Sequence, residues 1–305
     1  MKKEFVPYHK SVLVEEVLTY LDPHPDGVYV DATFGGGGHT RAILEHEPRC
    51  SVVAFDWDKN AIDMHQEIFE RDFPGRVAFI WGNFSQLAAL LFKRLGIGEV
   101  DGIIADFGTS QYQISERHGF SVYRDTYLDM RMSYAHQKIT AAQVINSCSE
   151  KELTEIFWQF GEERYAKKIA QAIVERRRTK KIFRTHELVK LIERVVPQTH
   201  KKRTIHPATR VFQALRIYVN KELDNIQAFL NGALRVVKPG GTIVCISFHS
   251  LEDRLIKRFF KEHPCGQEKG VEILTKKVVI ARSDEIRKNP SARSARLRAA
   301  RVSAV

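Results

Sequence analysis

Over the first third of the chain, short apolar runs alternate with stretches of helical character. Residues 28–33 (Val-Tyr-Val-Asp-Ala-Thr) read as a buried strand. Phe34 and four glycines, Gly35 to Gly38, follow, and 39–45 reads as a helix. Further runs at 51–55, 77–81 and 100–105 end at Asp56, at Gly82-Asn83-Phe84 and at Asp106, with helical segments at 58–70 and 87–95 between them. Strand–helix alternation of this kind predicts an α/β fold, a doubly wound and mostly parallel sheet with helices on both faces. The next such strand comes only at 242–247. That gap is far longer than one crossover needs. Part of it is a helix predicted over 208–236, where Phe212, Leu215, Val219, Leu223, Ile226 and Leu230 recur at three and four residues. Lys238-Pro239-Gly240-Gly241 reads as the turn that ends it. The remainder predicts an inserted helical domain at 113–208, with helices at 151–177 and 185–196, the second opened by Thr185. The α/β domain then comprises 1–112 and 209–305. After a helix at 251–262, residues 271–281 read as a strand. The arginine-rich tail, 291–305, reads as either a last strand or a solvated basic arm.

Composition narrows the class. At 43% hydrophobic and 28% charged the chain is globular, and 48 Lys+Arg against 37 Asp+Glu make an acidic polymer a plausible partner. Cys50, Cys148, Cys245 and Cys265 form no C-x-x-C pair and no zinc pattern. No apolar run approaches a bilayer span and no signal core opens the chain, so the expectation is a cytoplasmic protein with reduced thiols and no membrane partner.

The candidate chemistry lies at the carboxyl ends of the strands, where doubly wound sheets bind ligands. Glycines after the first strand let backbone N–H groups approach a ligand. Asp56, about twenty residues on, can accept both ribose hydroxyls of an adenosine group. Phe84 can pack on adenine. Asp106 points into the same crevice. A dinucleotide fingerprint fails, because Thr40 or Arg41 stands where the third glycine belongs, and no Walker lysine follows. The pattern favours an adenosine ligand without pyrophosphate, against the alternative of a tight turn with no ligand.

Longer strings carry a resemblance. Asp31-Ala32-Thr33-Phe34-Gly35, Gly37-Gly38-His39-Thr40, Leu128-Asp129-Met130-Arg131-Met132, Gly161-Glu162-Glu163, Phe212-Gln213-Ala214-Leu215-Arg216-Ile217 and Ser247-Phe248-His249-Ser250-Leu251-Glu252-Asp253-Arg254 occur in order along nearly the whole chain. In these the sequence resembles the bacterial small-subunit ribosomal RNA cytosine-N4 methyltransferases of the MraW type. The resemblance implies a seven-stranded methyltransferase sheet and contacts to S-adenosylmethionine by Gly37, Gly38, His39, Asp56, Phe84, Asp106 and Gln113. It also implies a cytidine in the decoding region of 16S rRNA, within the small ribosomal subunit, as target. After Asp106 the family usually has Leu-Gly-Val-Ser-Ser-Pro-Gln; this chain has Phe107-Gly108-Thr109-Ser110-Gln111-Tyr112-Gln113.

Methylating carbon five of cytosine needs a cysteine nucleophile, and none lies near Asp106. An exocyclic amine needs no covalent step. It needs acceptors for its protons and in-line positioning. Asp106 is the candidate acceptor; the competing reading is a carboxylate that only binds the cofactor. Ser247 and His249 are candidates for contact with a flipped base, beside a capping role for Ser250 with Asp253. Asp129 and Arg131, a local charged pair, and Arg216 and Asn220, off the apolar stripe, are further substrate candidates; the alternative is a surface pair and solvated side chains. Basic runs at 176–181 and 201–203, and Arg293, Arg296, Arg298 and Arg301, are candidate phosphate contacts. Two other functions stay open at this point: a DNA cytosine-N4 methyltransferase and a non-catalytic RNA-binding assembly factor.

Overall fold

The computed structural model describes residues 11–108, 118–197, 206–266 and 269–303. These form two compact units, 11–108 with the described part of 223–303, and the described part of 118–222.

In the first unit the strands are β1 (Val28–Asp31), β2 (Ser51–Asp56), β3 (Val77–Trp81), β4 (Val100–Asp106), β5 (Val237–Ser247), β6 (Val271–Ile273), β7 (Val279–Ile280) and β8 (Arg296–Val302). They build one sheet in the order β3-β2-β1-β4-β5-β8-β6, with β7 also paired to β8. The first five are parallel; β8 runs antiparallel to β5, β6 and β7. The sheet has eight strands, not seven, because the run at 271–281 breaks into two short strands on the same neighbour. The tail is a strand inside the sheet, not a solvated arm. Its small apolar residues Ala299 and Ala300 are fully buried between β5 and β6.

Side chains alternate across a strand, so this sheet feeds two cores. Val30, Val53, Phe55, Ile103, Ala105, Ile243 and Cys245 pack with helices α4 (Leu87–Leu95), α10 (Glu222–Val236) and α11 (Ser250–Glu262). Tyr29, Val52, Ala54, Ile104, Val244 and Ile246 pack with α1 (Val14–Leu21), α2 (Gly38–His46) and α3 (Lys59–Asp72). Helices on both faces make the sheet doubly wound. Near its start β5 carries a register shift: Val237 pairs with Val100, and regular pairing resumes at Thr242 with Gly102. The Lys-Pro-Gly-Gly segment therefore sits within the strand's bounds as an irregularity, with Gly240 at φ +87°. A short helix α12 (Ser283–Lys288) precedes β8.

The second unit is helical: α5 (Ala141–Ser147), α6 (Glu150–Gly161), α7 (Ala166–Thr179), α8 (Thr185–Val195) and α9 (Thr209–Asn220), around a core that includes Ile145, Phe157, Ile169, Leu188 and Leu215. Two predicted helices are broken. Residues 151–177 divide at Glu162, which takes φ +48° and caps α6. A Cβ on Gly161 would stand 2.6 Å from the Arg210 carbonyl oxygen, so only glycine lets α6 and α9 approach this closely. The stretch 208–236 breaks at Lys221, φ +51°, whose N–H closes α9 on Ile217 and Tyr218. The stripe continues across the break because it serves two cores. Phe212, Leu215 and Val219 face the helical core; Ile226 and Leu230 face the sheet. The expected return to the α/β domain at residue 209 therefore lies one helix early. Thr185 is the first residue of α8, not its cap; its Oγ1 donates to the Arg124 carbonyl, while the Glu187 carboxylate accepts from the Phe183 and Arg184 N–H groups.

Candidate active site

Three neighbouring strands, β2, β1 and β4, each end in an aspartate. Asp31 is fully buried; it accepts from Thr33 N–H at 3.1 Å and Thr40 Oγ1 at 2.8 Å, and burial raises its pKa above the ordinary carboxylate value. Asp56 accepts from Gly35 N–H and from Asp58 N–H, each at 2.8 Å. Burial pushes its pKa up to about 7, although both donors pull it down. Asp106 donates its own N–H to Thr33 Oγ1 at 2.7 Å, and its carboxylate accepts from Gly108 N–H at 3.2 Å. Thr33 and Gly35 thus tie the turn after β1 to the ends of β4 and β2.

The glycines divide by reason. Gly35, at φ +52°, has open space on its Cβ side apart from the Thr33 carbonyl oxygen at 3.8 Å. Gly37, at φ +74°, has no such space: a Cβ would lie 2.6 Å from the Phe69 ring, and its N–H already donates to the Phe34 carbonyl at 2.7 Å. A Cβ on Gly38 would run into the Ser11 hydroxyl. Close protein packing by itself requires glycine at 37 and 38.

His39 lies in the first turn of α2, 4% exposed, with Nε2 3.7 Å from Asp106 Oδ2. Phe84, just past β3, packs among Trp57, Phe107 and Phe229 at centroid distances of 6.2, 5.6 and 5.8 Å. Phe248 lies against the backbone of Gly108, where a Cβ would come within 2.5 Å of its ring. Gln113 lies outside the described residues.

Two candidates at the end of β5 are spent on structure. Ser247 is fully buried, and its Oγ donates to the Arg296 carbonyl at 3.3 Å, so it presents no group to a base. His249, not Ser250, caps α11: its Nδ1 accepts from Glu252 N–H, and the Glu252 carboxylate accepts from the N–H groups of Phe248 and His249. The capping box is set one residue earlier than Ser250 and Asp253 imply. Asp253 instead holds Arg298 at 2.6 and 3.2 Å, which removes that arginine from the candidate phosphate contacts.

A family model described as the MraW methylase family matches residues 7–303. The chain belongs to that family. Among curated relatives, proteins named ribosomal RNA small subunit methyltransferase H are similar along almost their whole length. The one from Carboxydothermus hydrogenoformans is 45% identical over 306 residues, covering 96% of this chain and 97% of its own. That from Thermotoga neapolitana is 43% identical over 304 residues, covering 98% of both chains. That from Neorickettsia sennetsu is 46% identical over 292 residues, 95% of this chain and 94% of its own. The protein is thus an S-adenosylmethionine-dependent methyltransferase.

In the helical unit of this MraW-family methylase, the remaining candidates support one segment. Asn220 is fully buried; its Oδ1 accepts from Met132 N–H, and its Nδ2 donates to the Met130 and Arg216 carbonyls, all at 2.8 Å. It is neither solvated nor free for a substrate. Arg216 is bound by both arms to Glu222, at 2.9 Å each. Arg131 holds Asp129 through two bonds of 2.7 and 2.9 Å and lies over the Tyr134 ring at 4.8 Å. Asp129 is 8% exposed, so this is a mostly buried pair and not a surface one. Two members of the site escaped the sequence reading, Asp31 and Trp57. Asp31 was hidden because the run was read through it to Thr33, whereas the strand ends at Asp31 as the others end at Asp56 and Asp106. Trp57 follows Asp56 and gave no periodic signal. No helix among the described residues is long and apolar enough to cross a membrane.

Proposed function

We propose that this methylase acts on the exocyclic N4 of a cytidine in the decoding region of 16S rRNA, with the small ribosomal subunit as its partner in the cytoplasm. The observation that carries the reading is the row of strand-end carboxylates beside the open face of Gly35. S-adenosylmethionine supplies an electrophilic methyl group on a positively charged sulfonium, and an anionic strand end with free acceptor capacity fits such a group. Asp56 uses one acceptor position on each oxygen for backbone N–H groups, which leaves lone pairs for ribose hydroxyls. Phe84 and Trp57 offer an apolar wall for adenine. The turn from Gly37 to His39 contributes backbone groups, and Gln113 is expected to join them.

Asp106 accepts a proton of the target amine, favouring pyramidal nitrogen and offsetting the positive charge that develops on it. The alternative through carbon five finds no nucleophile. Cys245 is fully buried in β5, and burial raises its thiol pKa far out of the thiolate range. Asn220, Arg216 and the Asp129–Arg131 pair keep the shape of a substrate-facing segment in the helical unit. His249 acts on substrate only through the backbone that it caps. Exposed Arg178 and Lys181 contribute phosphate contacts.

The test is incubation of purified small subunits, and separately of DNA, with labelled cofactor, followed by mass spectrometry of the nucleosides. N4-methylcytidine in 16S rRNA is the expected product. Label in DNA alone, or methyl on carbon five, overturns the reading.

A further inference from the structure

His39 is buried more deeply than a histidine without partners should be. Its side chain is 4% exposed, and among the described residues neither Nδ1 nor Nε2 makes a hydrogen bond. An unsatisfied buried polar group is costly, and a fold does not retain one without a return. The ring is fixed from below, because α2 begins at Gly38 and the next residue, Thr40, is bonded to Asp31. Two charged groups face it from the strands under this helix: Asp31 at the end of β1, whose carboxylate is already held by Thr33 and Thr40, and Asp106 at the end of β4. Among the described residues, only the second has an oxygen without a short donor. Asp106 Oδ1 accepts from Gly108 N–H, while Oδ2 faces His39 Nε2 at 3.7 Å, about an ångström beyond hydrogen-bond length.

We infer that His39 is a positioning residue for Asp106: its Nε2–H closes onto Oδ2 when the site fills. Asp106 is then held at both ends, by Gly108 on one oxygen and His39 on the other. The carboxylate plane is fixed, and the remaining lone pairs are aimed at the amine. This deepens the function proposed above and rests on Asp106 being the acceptor. It assigns a task to the imidazole, where the family resemblance assigns only a place beside the cofactor.

The geometry makes an atom-specific prediction. Glutamine carries its amide nitrogen at the reach of Nε2, and asparagine carries it at the reach of Nδ1. His39→Gln should retain single-turnover methylation of small subunits within about threefold. His39→Asn and His39→Ala should lose about 10- to 100-fold, the range for a misplaced catalytic group. Calorimetric affinity for S-adenosylmethionine and KM for the subunit should stay near wild type in all three.

A second readout needs no turnover. In protein with 15N-labelled histidine and S-adenosylhomocysteine bound, the His39 ring, assigned by its absence in His39→Gln, should carry a proton on Nε2. Asp106→Asn should shift that signal. Three results would overturn the proposal: His39→Asn as active as His39→Gln, a loss confined to cofactor affinity, or a ring signal indifferent to Asp106→Asn. Wild-type protein inactive on subunits, with the NMR coupling present, would overturn the functional reading and leave the His39–Asp106 pair standing as a structural contact only.

Discussion

Asp56 supplies a quantitative test of the cofactor site. In the free protein its carboxyl pKa is pushed to about 7 by burial, yet two ribose hydroxyls require the carboxylate as acceptor. Ligand binding must then expel the proton. The apparent affinity follows the ionised fraction, about nine-tenths at pH 8 and about one-tenth at pH 6, so binding weakens about tenfold over that interval, or about 1.4 kcal/mol. The sign for stability is the reverse. A carboxyl with a raised folded-state pKa binds its proton more tightly folded than unfolded, so the ligand-free protein loses stability as pH climbs from about 4 to about 7. The suitable probe is 5′-methylthioadenosine, which keeps the ribose diol and lacks the α-amino group of the full cofactor, so the ligand itself does not titrate between pH 6 and pH 8. Calorimetry in two buffers of different ionisation enthalpy should find nearly one proton released per ligand at pH 6 and almost none at pH 8. Asp56→Asn should bind weakly at every pH, with no proton release. Equal wild-type affinity at pH 6 and pH 8, with no buffer dependence, would refute the assignment of Asp56 to the ribose.

Other outcomes follow from the same contacts. Asn220→Ala removes the side-chain partner of the buried Met132 N–H and of the Met130 carbonyl, and should destabilise the helical unit by about 2–5 kcal/mol in urea titration. Gly37→Ala must place a methyl against Phe69 at positive φ and should lower the melting temperature clearly more than Gly35→Ala, which meets only backbone strain. In filter binding to 16S rRNA, Arg178→Ala and Lys181→Ala should each flatten the salt dependence by about 0.7–0.9 in log–log slope, whereas Arg298→Met, already bound to Asp253, should leave the slope unchanged.

Much of the α/β unit was legible because burial on both faces writes continuous apolar runs, and because strand ends carry the chemistry. Residues 52–56 and 103–106 show this directly: a run of apolar side chains, then an aspartate. Periodicity failed where one stripe served two cores, as across Lys221, since spacing records that a residue is buried and not what it is buried against. It failed again at polar positions. Asn220, Arg216 and His249 have the composition of ligand-binding groups, but their partners, Met130, Glu222 and Glu252, include residues as far as ninety positions away or sit where local rules favoured Ser250. A buried amide that satisfies backbone groups and a free amide that meets a substrate are written with the same letter. The glycine run was legible as a necessity, but the packing reason at Gly37 was not, because the aromatic ring that fills the space beside it comes from Phe69 in α3.

The sign of the charge at the strand ends also decides between ligand classes that the glycine spacing only weakly separates. The chain carries a formal +11, yet the ends of β2, β1 and β4 present three carboxylates side by side. Burial raises the proton affinity of Asp31 and Asp56 most, and neighbouring charge adds to it: Asp106 acts on Asp31, and Asp31 on Asp56. A pyrophosphate brought to about 5 Å from one such charge would meet a repulsion of about 3 kcal/mol per charge pair at an effective dielectric of about 20. A sulfonium at the same distance gains that amount. The strand-end acidity thus favours a cationic ligand over a pyrophosphate, in line with the glycine pattern. A cationic methyl donor relieves the mutual repulsion of these carboxylates, and so draws Asp56 into the ionised form that its own ribose contact demands.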